Sequence, residues 1–237
     1  MLDPEQTILV IDTPWDTQAY FRYLGNERKG WRQAGAFSLF IKNYPRRHEI
    51  TRMDGKPFLR VSEQGYSGSG LSSEVEHWID LSRPEFDPVF SFTPQGVEHR
   101  LGFGISRTVH AHAIADRDET IRVVVTLRYT GYAESIELGR AELTATYQRL
   151  VGRPGFALRD VTQGASATTV ATEKFEKLIN LDEGGASNAM LIAEVLPGLK
   201  KIASGDNADA KGWLRHMLSN VKDTPEKRQL MKLLDER

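Results

Sequence analysis

The chain has 237 residues, 40% hydrophobic and 27% charged, which suits a globular protein with a sizeable core. A formal net charge of −1 leaves no global field toward nucleic acid or an anionic membrane, and the absence of cysteine excludes disulfides, thiolate zinc sites and a cysteine nucleophile. The first residues are acidic with only a short apolar run, and no apolar stretch is long enough to span a bilayer, so the expectation is a cytoplasmic protein without a membrane anchor.

Residues 7–11 (TILVI) read as a short buried strand that Asp12, Pro14 and Asp16 stop with turn chemistry. Residues 20–42 are aromatic and basic, with a strand predicted over 36–41. Between positions 17 and 60, Lys and Arg outnumber Asp and Glu ten to three; between 61 and 98, seven acidic residues face Arg83 alone. Neighbouring strands whose charges pair explain this reversal. A basic patch of Arg28, Lys29, Arg32, Arg46 and Arg47, interleaved with Tyr20, Phe21, Tyr23, Trp31 and Tyr44, would instead suit single-stranded nucleic acid.

Asp54-Gly55 between two alternating segments predicts a hairpin in which Met53 faces Lys56, Ile50 faces Leu59 and Glu49 faces Arg60. The following GYSGSGLSS, residues 65–73, reads as a surface loop joining two strands. It lacks the lysine of a P-loop and the second glycine of a nucleophile elbow, yet Gly65, Ser67, Gly68, Ser69 and Gly70 are the positions best suited to hold a small ligand through backbone amides. Strands follow at 74–81, 89–93 and 106–115, then at 121–130, where Ile121, Val123, Val125, Leu127 and Tyr129 alternate with more polar positions. Two more are expected at 141–150 and 156–161.

After Gly164 the period changes to that of helices, with apolar stripes in 172–181, 187–202 and 208–221, and a start signal at Thr224-Pro225-Glu226. Pro197 is expected to kink or end the second of these. The fold reading is therefore α+β: an antiparallel sandwich or open barrel of about eight strands over residues 1–163, and a helical extension of three or four short helices over 164–237.

Gly104, five intervening residues, and then His110 and His112 on one face of a strand resemble the first part of the cupin motif. That resemblance implies a metal-dependent enzyme whose ion is held by His110, His112 and Asp116. The chain departs from the pattern where a cupin has Glu three or four residues on, and again in having no further histidine downstream in the sheet. Strand register decides what the pair can do. A four-residue turn at 116–119 points both rings inward, opposite Val125 and Val123; one more residue turns them to the surface.

No complete catalytic signature is present, so no catalytic residue or cofactor is assigned. The first functional expectation is a non-catalytic binding module in which a concave sheet face or the 65–73 loop engages a small ligand or protein partner, with the helical tail making a contact. The alternatives are a cupin-like metal enzyme and a nucleic-acid binder, the last disfavoured by the near-neutral charge.

Overall fold

The structure is a computed structural model that describes residues 6–13, 16–41, 47–68, 70–100, 104–117, 119–131, 135–165, 167–179, 181 and 187–236. Among them an antiparallel β-structure leads into C-terminal helices, as the change of period predicts. The strands are more numerous than the eight expected: twelve, in two sheets.

The first three strands, β1 (Gln6–Asp12), β2 (Thr17–Asn26) and β3 (Gly30–Phe40), form a separate sheet in that order. Most of the added strand content lies here, because β2 hides its period: the buried positions Gln18, Tyr20 and Arg22 are polar or long, while Phe21 between them points the other way. The inward face packs Tyr20 and Leu39 on Leu59, Val61 and Ile79 of the second sheet and on Leu81 and Phe86, which follow Asp80. Tyr20 stacks on Phe37 at 4.8 Å, and Phe37 meets Phe86 edge-on at 5.0 Å. Burial, with a smaller contribution from Asp12, pushes the Tyr20 phenol up to about 12. Buried Arg22 fastens the sheet by donating to the carbonyls of Leu81, at 2.6 Å, and Arg83.

The second sheet is a nine-stranded meander in which every strand pairs with its sequence neighbours. It comprises β4 (His48–Met53), β5 (Lys56–Gly68), β6 (Leu71–Asp80), β7 (Pro88–Arg100), β8 (Ile105–Ala115), β9 (Thr120–Gly131), β10 (Ile136–Arg149), β11 (Phe156–Gln163) and β12 (Thr168–Thr169). The β4–β5 turn is Asp54-Gly55 with φ of 48° and 78°, both left-handed as a two-residue hairpin requires. Its register is the expected one, Met53 to Lys56, Ile50 to Leu59 and Glu49 to Arg60, and Arg60 pairs with Glu49 at 2.6 Å.

This sheet curls into an open barrel. Strands β6 and β10 are separated by three others, yet Asp80 at the end of β6 pairs with Arg149 at the end of β10 at 2.5 Å. Lys56 reaches Glu119 in the β8–β9 turn, and the Glu119 amide donates to Asp54 at 2.6 Å, so one rim is clamped by charge. Inside the curl Phe90 lies 4.9 Å from Tyr147, 5.8 Å from Phe156 and 6.1 Å from Trp78.

Helices α1 (Thr172–Ile179), α2 (Asn188–Ser204), α3 (Ala208–Ser219) and α4 (Pro225–Asp235) cover the inner face. Ser187, Asn207 and Thr224 cap the last three by accepting from amides three residues on, and Pro225 occupies the first turn of α4. Helix α2 runs through Pro197 rather than ending there. Pro197 and Ala193 are both exposed, so water reaches the carbonyl that the proline leaves without an amide. One hydrophobic cluster runs from Val125 and Leu143 of the sheet to Leu199, Leu214 and Leu230 of the helices. No helix among the described residues is long and apolar enough to cross a membrane.

The backbone of α2 approaches β10 so closely at Gly198 that a Cβ there would lie 2.0 Å from the Leu138 carbonyl oxygen. Gly198→Ala is therefore expected to push helix and strand apart and cost about 1–3 kcal/mol, despite alanine's better helix propensity. Urea denaturation checks this; a stabilised variant would contradict the close approach.

Candidate interaction surface

Alternation along paired strands divides the three-stranded sheet into an inward and an outward face. The outward positions are Thr7, Leu9 and Ile11 on β1; Thr17, Ala19, Phe21 and Tyr23 on β2; and Trp31, Gln33, Ala36, Ser38 and Phe40 on β3. None of these side chains is charged. Leu9, Ile11, Trp31 and Phe40 are 46%, 43%, 44% and 45% exposed, with Phe21 and Tyr23 half-buried between them. At ~150–250 Å² for a large side chain, these four leave on the order of 350 Å² of apolar surface in water, the size at which a patch on a monomer is often functional.

The basic residues lie beside this face rather than on it. Arg28 and Lys29 sit in the β2–β3 turn, where both amides donate to Asn26 Oδ1, and Arg32 alternates to the opposite side of β3 from Trp31. With Gln6, Leu24 and Trp31, Lys29 and Arg32 line an open cavity of about 540 Å³ at the hairpin end. Arg47 precedes β4, Tyr20 is buried inside, and Arg46 and Tyr44 lie outside the described residues.

The 65–73 segment is mostly strand, with β5 reaching Gly68 and β6 beginning at Leu71. Ser67 pairs with Ser72 and Gly68 with Leu71, so these two belong to a ladder rather than an open loop, while Gly65 lies in β5 at the register shift between Gln64 and Ser67. Gly70 lies in the turn, where its carbonyl accepts from the His99 amide at 2.7 Å; Ser69 lies outside the described residues.

His110 pairs with Thr126, His112 with Val124 and Ala115 with Ile121, which is the register of the longer turn. Both histidines are consequently exposed on the outer face of the large sheet, and Asp116 pairs with Arg122 at 2.6 Å. Among the described residues no group of three or more His, Asp or Glu side chains is placed to hold a metal ion.

One constellation escaped the sequence reading. Across β5, β6 and β7, His77 Nε2 lies 2.7 Å from Glu63 Oε1, and its Nδ1 lies 2.7 Å from Ser91 Oγ. Hydroxyl, imidazole and carboxylate thus line up as in an acyl-transfer relay. Acyl transfer further needs N–H donors converging about 3 Å from the reacting oxygen. The row itself supplies nucleophile, base and orienter only, and it lies along paired strands, so it reads as a cross-strand hydrogen-bond ladder. Spacings of fourteen residues in sequence carry no signal for it; two successive hairpins bring the three together.

No protein-family model, curated protein or solved structure matches this chain.

Proposed function

We propose that this chain is a non-catalytic interaction module that docks a protein partner on the outward face of β1–β3. The observation that carries the reading is the joint exposure of Leu9, Ile11, Trp31 and Phe40 on a face without charge. Apolar and aromatic side chains that are accessible yet held in place by a sheet lose little entropy on binding and gain by leaving water, whereas a charged face would resist desolvation. A nucleic-acid backbone would call for cations across the face, and here they are confined to the hairpin end.

The test is a variant with Leu9, Ile11, Trp31 and Phe40 all changed to serine, compared with the original chain for stability and for binding of the apolar dye bis-ANS. Retained stability, within about 1 kcal/mol for surface changes, with strongly reduced dye binding is the expected result. A loss of several kcal/mol would mark the residues as structural. Absence of dye binding to the original chain would remove the surface altogether.

A further inference from the structure

Beyond that reading, we infer that the same sheet also pairs with a second copy of this chain, with β1 of each protomer running antiparallel to β1 of the other. Strand β1 is the edge of its sheet, and among the described residues it pairs with β2 alone. Its outer row of backbone N–H and C=O groups is therefore a template for another strand. Natural edges are usually guarded by lysine, proline, a bulge or an inward charge. Gln6–Asp12 (QTILVID) has none of these between its ends, and Asp12 is its sole charge. The β3 edge differs: the Phe40 amide turns toward Glu63 Oε2 at 3.4 Å, and the strand carries a register shift opposite Arg22 and Tyr23.

A two-fold axis sets a surface against itself, so the surface must be self-complementary. The β1 edge meets that condition: with Leu9 on the axis, Asp12 falls opposite the partner subunit's Gln6, so no like charges are brought together. Antiparallel pairing centred on Leu9 sets it against the partner subunit's Leu9 and makes one continuous sheet of six strands, three from each protomer. The apolar patch alone falls short of the ~800 Å² per partner that a stable interface buries. Main-chain pairing along β1 adds area and directional hydrogen bonds, and this favours joining at the edge over stacking of faces.

Sedimentation velocity of the full chain between 1 and 100 μM tests the inference, alongside Leu9→Lys and, as a second exposed position on the same strand, Thr7→Lys. The original chain is expected to sediment as a dimer at the upper concentrations. Each lysine variant should keep its melting temperature and raise the dimer dissociation constant at least tenfold. A chain that stays monomeric at 100 μM overturns the inference, and so does a dimer indifferent to both lysines. A monomer that still binds bis-ANS through this face leaves the docking reading intact with a different partner; a monomer that does not removes both.

Discussion

Arg107→Ala is expected to cost about 3–5 kcal/mol, the loss typical when one member of a buried ion pair is removed, and to lower the melting temperature by roughly 10 °C. The guanidinium is 1% exposed and pairs with Glu98 at 2.7 Å. It also donates to the carbonyl oxygens of Leu178, at 2.7 Å, and Lys177, at 3.2 Å, in the last turn of α1. A cation there satisfies carbonyls that have no intrahelical partner and lies at the negative end of the helix dipole. Alanine leaves the Glu98 carboxylate buried beside unsatisfied carbonyls, so the damage reaches both β7 and the docking of α1. Arg107→Lys should lose less, yet remain destabilised, because an ammonium lacks the planar fork that serves several acceptors at fixed angles. Urea denaturation of the three proteins decides the matter, and a loss below 1 kcal/mol for alanine would show that the pair contributes little.

Asp80→Ala is expected to rank beside it and to change how stability depends on pH. The Asp80 side chain is fully buried. Burial by itself would raise its pKa, but hydrogen bonds from the Ser82 hydroxyl and amide, and the hydrogen bond and charge of Arg149, outweigh that and hold it below the ordinary 3.8. A carboxyl group that ionises more readily in the folded than in the unfolded chain contributes its full stabilisation above the unfolded value. That contribution fades as pH falls through the lower, folded value. The original chain should therefore lose stability on acidification below about pH 4, where unfolded aspartates begin to take up protons. The alanine variant should start several kcal/mol lower at neutral pH and show a shallower decline through the same range. It also leaves Arg149 with only the more distant Glu119 carboxylate, at 3.6 Å, at the rim where β6 meets β10, so the barrel should loosen there first. Denaturation curves from pH 7 to pH 2 test this; parallel profiles for the two proteins would contradict it.

Features set by nearest neighbours in the chain were legible without a structure. The Asp54-Gly55 hairpin could be registered residue by residue because a two-residue turn leaves the strands no freedom to slip. The α4 start could be read from Thr224 and Pro225 because capping is a bond between residues three apart. Arg107 was not legible as a core residue. A charged side chain within an alternating strand reads as outward, and it takes the Glu98 carboxylate of β7 together with the carbonyls at the end of α1, some seventy residues away, to make an inward guanidinium tolerable. The outward apolar face of β1–β3 was obscured too, since Phe21 and Trp31 read as aromatics interleaved in a basic patch, while the buried positions beside Phe21 on β2 include Gln18 and Arg22.

The amino-acid sequence by itself determined the α+β class, the order of strands before helices, the Asp54-Gly55 turn and the α4 cap, all of which depend on periodicity and short-range bonding. The tertiary structure alone decided that the large sheet curls until Asp80 meets Arg149, that His110 and His112 face water, and that Leu9, Ile11, Trp31 and Phe40 share an open surface. A strand's pattern separates its two faces without saying which of them another layer will cover. One residue more or less in a turn exchanges them, and distant packing makes that choice.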